Sequence, residues 1–199
     1  MEKNNLILHR INTIEKLNSI DQEFGCEIDV RAEGSNLILH HDAFKTGEKL
    51  TDFLDEYRHG TLVLNVKETG IENALLEEVK KRNIKSFFLL DVEQPYLIKS
   101  SFGNQKNIAL RFSEYEPIEN VKLFVNKFNW IWIDTISLLP IDNSNFEILN
   151  QFNVCVVCPS LWKRSHDILK VKKKLSEYNF NNLLVMTETT YVNSWIGDI

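Results

Sequence analysis

Eight short apolar runs, most of them followed by a stretch in which apolar residues recur at helical spacing, constrain the fold of this chain more than any other feature. The runs are nearly continuous in aliphatic and aromatic residues, which is typical of parallel strands buried on both faces. Strands that alternate with helices predict βαβ units, and eight such units close into a (β/α)8 barrel of the TIM type. The predicted strands span residues 6–9, 26–30, 61–66, 86–90, 108–112, 130–133, 154–158 and 183–187.

The length of 199 residues is near the lower limit for such a barrel, so we expect a compact α/β barrel with shortened or missing helices. Residues 36–41 predict a hairpin arm on the second strand, with its turn at Gly34 and Ser35. No linker divides the chain, which indicates a single domain over 1–199. An open doubly wound sheet is the alternative, although no glycine-rich phosphate loop follows the first strand. The predicted helices span 13–22, 70–83, 116–128, 145–152 and 161–178, with at most a stub after the eighth strand.

Composition excludes several classes of protein. The net charge is −5 and no long basic block is present, which argues against a nucleic-acid partner. No apolar stretch is long enough for a transmembrane segment, and the apolar run before His9 is too short for a signal peptide, so we expect a cytoplasmic protein. The odd number of cysteines argues against a disulfide framework, and Cys155 and Cys158 fit ordinary buried strand positions.

Polar side chains stand where many of the predicted strands end. In a TIM barrel the carboxyl ends of the strands carry the chemistry, and charged groups placed there are costly unless they are paired or solvated. Glu27 and Asp29 are two residues apart on the second strand and therefore share a face. His9 ends the first strand. The other such residues are Arg10, Asn65, Lys67, Asp91, Arg111 and Asp134.

Structural roles are open for several of these residues. Glu27 and Asp29 could be ordinary salt-bridged carboxylates. Asp91 and Asp134 could cap the helices that follow them, and Arg111 could pair with Glu114 or Asp134. The alternatives for Trp132 are packing between barrel and helices, or stacking on a sugar or choline-like group at the rim.

The residue types favour phosphodiester chemistry. Histidine moves protons near neutral pH, and a Glu-x-Asp pair on one strand face suits a hard divalent cation. His41 follows the phase of the apolar Leu37 and Leu39, so we expect His41 rather than His40 to face the site. Two histidines beside a metal site predict cleavage of a phosphodiester.

The ordered motifs resemble a known family. His9-Arg10, Glu27-Ile28-Asp29 and His41-Asp42 are similar to the successive N-terminal motifs of glycerophosphodiester phosphodiesterases, which belong to the phosphatidylinositol-phospholipase-C-like barrels. Asn65-Val66-Lys67 stands where that family has an acidic-x-Lys motif. The similarity lies mainly in the first 70 residues.

The resemblance implies a phosphoric diester hydrolase. His9 and His41 would be the general acid/base pair for a small glycerol- or sugar-linked phosphodiester, which would be cleaved either directly or through a cyclic phosphate. Glu27 and Asp29, with Asn65, would hold Mg²⁺ or Ca²⁺. Arg10 and Lys67 would contact the phosphate. Arg111 and Trp132 are further candidates for substrate binding.

The chain also departs from the family pattern. The first motif is compressed, so its metal-binding Glu has no clear counterpart; Glu15 is one substitute, although we expect it to project from the helix. Asn65 replaces an acidic ligand. The alternative function is therefore a degenerate barrel that binds a phosphorylated ligand without turnover. A Schiff-base lyase using Lys67 is a third candidate. Trp195, near the end of the sequence, could cover the truncated barrel end or form a homodimer contact.

Overall fold

Ten strands lie within residues 1–197, the part of the chain that the computed structural model describes. Most of them are short apolar runs, as the sequence predicts. The strands are Leu6–Leu8 (β1), Gly25–Glu33 (β2), Asn36–Leu39 (β3), Glu48–Lys49 (β4), Leu62–Val66 (β5), Phe87–Leu90 (β6), Ala109–Phe112 (β7), Trp130–Ile133 (β8), Asn153–Val157 (β9) and Leu183–Thr187 (β10).

Eight of these strands run parallel and follow one another around a ring. β1 pairs with β2 and β10, β2 with β5, and β5 with β6. On the other side, β7 to β10 pair in chain order. A parallel bridge between Leu89 of β6 and Ile108, just before β7, joins the two ends of the ring. The predicted (β/α)8 barrel is confirmed.

The hairpin arm is also confirmed. β3 pairs antiparallel with the outer half of β2, where Val30 opposes Leu39 and Glu33 opposes Asn36. Gly34 has a φ of 62°, a conformation that the tight turn requires and that glycine adopts without steric cost. β4 then pairs with β3. The arm returns the chain to the middle of β2, where the His40 backbone N–H donates to the Asp29 carbonyl oxygen at 3.0 Å and His41 follows.

Helices are short within residues 1–197, and the longest has ten residues. The helices Leu50–Glu56 and Gln94–Ser101 are absent from the prediction, whereas the helix predicted over 116–128 is reduced to the five residues Ile118–Lys122. In the same part of the chain, no helix is long and apolar enough to cross a membrane. The helices are Ile14–Asn18 (α1), Leu50–Glu56 (α2), Glu72–Lys81 (α3), Gln94–Ser101 (α4), Ile118–Lys122 (α5), Phe146–Leu149 (α6), Ile168–Leu175 (α7) and Val192–Trp195 (α8).

Alternation along the strands divides the apolar side chains into two groups. One group fills the layer between strands and helices. A second group fills the barrel interior, where Phe88 stacks on Trp130 with ring centroids 4.5 Å apart. Trp132 belongs to this interior group, so the interpretation that it packs between the barrel and the helices is wrong. The second group comprises Ile7, Val63, Phe88, Leu90, Ala109, Trp130, Trp132, Cys155, Val157, Leu184 and Met186.

Candidate active site at the carboxyl ends of the strands

The same alternation directs the polar candidates into the mouth of the barrel. Residues two positions after an interior apolar residue share its face. His9 follows Ile7 in this way, and Asn65 follows Val63. On β2 the outer face carries Ile28, so Glu27 and Asp29 face inward. Both carboxylates are 1% exposed, which makes their partners decisive.

Glu27 is held by neutral donors. Its Oε1 accepts a hydrogen bond from Asn65 Nδ2 at 2.9 Å, and its Oε2 accepts one from the backbone N–H of Arg10 at 2.8 Å. Arg10 adopts a left-handed conformation with φ 56°, which turns the chain above the carboxylate. Burial, followed by repulsion from Asp29, raises the pKa of Glu27.

Asp29 carries the ionic contacts of the site. Lys67 Nζ lies 3.1 Å from its Oδ1, and Arg10 Nε lies 3.9 Å from its Oδ2. Asn12 makes a reciprocal pair, because its amide donates to Asp29 Oδ2 and its carbonyl accepts from the Asp29 backbone N–H, both at 2.8 Å. Asp29 is therefore a salt-bridged carboxylate, which was one of the two interpretations of the sequence. Its two ionic contacts place the charged ends of Lys67 and Arg10 close to each other.

His9 is a neutral base. Its Nε2 lies 4.0 Å from Glu27 Oε2, and its side chain is 20% exposed. Burial, followed by the positive charge of Arg10, lowers the pKa of His9 to about 4. At neutral pH the imidazole is therefore uncharged and has a free lone pair for a proton.

His41 lies at the exposed margin of the site. Its Nδ1 lies 2.8 Å from Asp42 Oδ1, an arrangement that orients the ring. The guanidinium of Arg31 donates to the carbonyl oxygen of His41 through Nε and Nη2, and to that of Lys67 through Nη1. Arg31 thus fixes both segments together. The charge of His41 is near enough to contribute to the lowered pKa of His9.

Arg111 is bound by carboxylates. It contacts Asp91 and Asp134 directly, and its Nε lies 3.7 Å from Glu116 Oε1. Asp91 and Asp134 therefore hold Arg111 and do not cap helices, since α4 begins after Glu93 and α6 after Asn145. The alternative pairing of Arg111 with Glu114 is wrong, because the Glu114 carboxylate accepts from the Ser137 backbone N–H.

One cavity of about 250 Å³ joins most of these residues. Its lining includes six of the nine predicted site residues: His9, Arg10, Glu27, Asn65, Arg111 and Trp132. Asp29 contacts Arg10 of that set and Lys67 contacts Asp29, whereas His41 does not line the cavity. A larger cavity of about 670 Å³ lies at the amino end of the barrel, around His59 and Arg82, away from this chemistry.

The predicted metal ligands can be tested against their surroundings. Asn65 Oδ1 is buried without a hydrogen-bond partner beside the two carboxylates, so three oxygen-bearing side chains converge. However, residues 1–197 hold no cluster of three or more His, Cys, Asp or Glu arranged for a metal ion. Mg²⁺ needs only one or two carboxylates because it keeps several waters, whereas Ca²⁺ takes six to eight oxygens. The side-chain oxygens of Glu27, Asp29 and Asn65 are of the type that both of these hard cations take as ligands. Glu15 is exposed and takes no part.

Known structures share this architecture. A crystal structure of a glycerophosphodiester phosphodiesterase from Agrobacterium tumefaciens strain C58 matches 91% of this chain and 96% of its own, with a TM-score of 0.64 and 12% identity. A second protein from that strain, assigned as a glycerophosphoryl diester phosphodiesterase, matches 96% of each chain with a TM-score of 0.63 and 8% identity. The chain has the fold of these two proteins. Neither a protein-family model nor a curated protein matches the sequence.

Several residues of the site are absent from the sequence prediction. Asn12 and Arg31 position charged groups, and Leu161 and Trp162 line the cavity. Asn12 directly follows the His9-Arg10-Ile11 segment, so its nearness to the motif was a usable signal. Trp162 offered none, because only the fold brings the loop after β9 to the cavity.

Proposed function

We propose that this chain cleaves a phosphodiester, with His9 and His41 as the general acid/base pair. The observation that carries the proposal is the neutral His9 imidazole in a cavity whose polar wall also bears Arg10, next to the Lys67–Asp29 pair. A base and two cations around one opening suit an anionic substrate with a proton to lose. The fold shared with glycerophosphodiester phosphodiesterases supports the same choice.

His9 is the general base in this proposal. Its lowered pKa keeps it unprotonated at neutral pH, and it would take the proton from water or from a substrate hydroxyl. If the nucleophile is a hydroxyl adjacent to the phosphate, the first product is a cyclic phosphate. His41 would then protonate the leaving alkoxide, with Asp42 stabilising its charged form.

Arg10 and Lys67 would bind the phosphoryl oxygens. Both are already near Asp29, which fixes their charged ends without neutralising them completely. Charge-assisted donors of this kind stabilise the extra negative charge of the transition state. A phosphate bound here would exchange part of the Lys67–Asp29 contact for a contact with substrate.

The proposal includes a divalent metal ion at this site. Glu27, Asp29 and Asn65 would hold it, and when bound it would neutralise charge on the phosphoryl oxygens. The neutral Asn65 and the nearby Lys67 predict weak binding, because both reduce the negative charge available to the ion.

Phosphorus NMR of a substrate panel tests the function. The panel holds glycerophosphocholine, glycerophosphoinositol and a nucleotide-linked glycerol, each incubated with Mg²⁺, with Ca²⁺ and with chelator. A new monoester or cyclic-phosphate signal that disappears in the His9→Ala variant supports the proposal and identifies the leaving group. Binding of these esters without any product would favour the non-catalytic alternative, for which the neutral Asn65 is the supporting observation.

A further inference from the structure

Three large apolar side chains lie exposed beside the candidate active site. Tyr115, Leu138 and Trp162 are 73%, 48% and 40% exposed and belong to the loops that follow β7, β8 and β9. We call these three residues the apolar rim. Because loops after the strands of a barrel surround its mouth, all three stand on the side where the phosphodiester would enter.

The rim is held in place by polar contacts between its loops. The Ser137 backbone N–H donates to the Glu114 carboxylate at 2.6 Å and so joins the loops after β7 and β8. Arg164 donates to the carbonyl oxygens of Thr135 and Ile136 at 2.7 and 3.2 Å, which joins the loops after β8 and β9. The three exposed side chains are therefore presented by one connected surface.

The rim continues into the cavity that holds His9 and Arg10. Trp162 lines that cavity, together with its neighbour Leu161 and the interior residue Trp132. The cavity thus has a polar wall formed by His9 and Arg10 and an apolar wall that leads outward to the rim. A small polar phosphodiester would leave the apolar wall and the rim in contact with water.

We propose that the apolar rim holds the hydrocarbon chain of an amphiphilic phosphodiester, whose phosphate lies in the polar half of the cavity. The inference rests on the proposed function for the position of the phosphate. It deepens that function by naming the substrate class, a phosphodiester with one polar and one long apolar substituent. Exposed apolar surface next to a site with convergent polar groups is typical of such binding.

The direct test is calorimetric binding of alkylphosphocholines, which are themselves phosphodiesters, with six, eight and ten carbons below their micelle-forming concentrations. Full burial of a methylene is worth about fourfold in affinity, and a rim that covers half of the chain predicts roughly twofold per methylene. We expect a smooth rise in affinity along the series. Equal affinity for all three chain lengths would overturn the inference.

Substitutions in the apolar rim test whether these residues cause the dependence of affinity on chain length. Trp162→Ala and Leu138→Ser should each flatten the dependence on chain length, while Phe102→Ala should leave it unchanged. Phe102 is the matched control because it is 85% exposed but follows α4, before β7, at the other end of the barrel. Thermal unfolding confirms that each variant is folded. An unchanged chain-length dependence in Trp162→Ala would also overturn the inference.

Turnover separates this inference from the proposed function. Cleavage of glycerophosphocholine, with no effect of chain length on binding, would support the proposed function and contradict the proposed role of the apolar rim. Chain-length-dependent binding that Trp162→Ala abolishes, without cleavage of any diester, would support the rim and contradict the function.

Discussion

Asn65 is the neutral residue among the three proposed metal ligands. It lies opposite Asp29 in the β2–β5 pairing and donates to Glu27, so it is placed where a third carboxylate would complete a metal site. The neutral amide leaves Lys67 as the close counter-charge of Asp29. A single neutral residue thus lowers the negative charge of the proposed ligand set.

Restoring that charge should create a stronger metal site. In Asn65→Asp we expect Mg²⁺ to raise the melting temperature by several degrees, while the wild-type protein shifts by about one degree or less. Chelator should return the variant below the wild-type value, because three buried carboxylates then repel one another. Thermal unfolding with Mg²⁺ and with chelator measures this. An equal Mg²⁺ response in both proteins would show that Asn65 does not limit binding, and Asn120→Asp on the surface is the control.

Asp134 should make stability depend on pH. Burial raises its pKa to about 6, although Arg111 opposes the shift. The Asp134 carboxyl group therefore binds its proton more tightly in the folded than in the unfolded state. The protonated Asp134 contributes fully to stability below about pH 4, and this contribution is lost as the pH rises through 6. The unfolding free energy should fall between pH 4 and 7 by up to roughly 3 kcal/mol more in the wild type than in Asp134→Asn. Urea unfolding at pH 4 and pH 7 measures this. An equal change in unfolding free energy with pH in the two proteins would contradict the prediction.

At the scale of elements, strands were easier to predict than helices. A strand buried on both faces leaves a continuous apolar run, which is visible in any window of sequence. The helices here have four to ten residues, too short for a clear 3.6-residue pattern, and packing against the barrel stabilises them. α4, for example, begins at Gln94-Pro95 and buries only Leu97.

The start of α1 offers a test at this scale. The Thr13 side chain accepts a hydrogen bond from the Lys16 backbone N–H, and Glu48 accepts one from Ile14. Removing this cap in Thr13→Ala should destabilise the protein by about 1 kcal/mol in urea unfolding. Thr51→Ala, in the first turn of α2, should change stability by less than half of that. Equal losses in the two variants would show that the cap at Thr13 has no special role.

For the whole molecule, barrel closure explains why so much of the site was predictable. Strand alternation sends His9, Glu27, Asp29 and Asn65 inward, and the parallel ring brings the ends of their strands together. The contact between Arg31 and the His41 carbonyl oxygen was not predictable, because it forms only after the hairpin arm has folded back along β2. The place of Trp162 in the cavity wall was not predictable either, because it too depends on how the chain folds.

The cysteines report on the integrity of the whole barrel. Cys26, Cys155 and Cys158 are free and buried, and burial raises the pKa of Cys26 to about 12. The native protein should therefore resist a thiol reagent at pH 8, and all three thiols should react together on global unfolding. Mass spectrometry of the alkylated protein follows this. Early labelling of Cys26 alone would indicate local opening between β1 and β2.

The most direct test of the account is the effect of His9→Gln on single-turnover cleavage of the substrate that the phosphorus NMR panel identifies. General acid/base catalysis contributes about 10²- to 10⁴-fold, so the rate should fall by that factor with substrate binding nearly unchanged. His59→Gln, at the amino end of the barrel, should stay within about twofold of the wild-type rate. A His9→Gln enzyme that is folded and cleaves at the wild-type rate would contradict the assignment of His9 as the base.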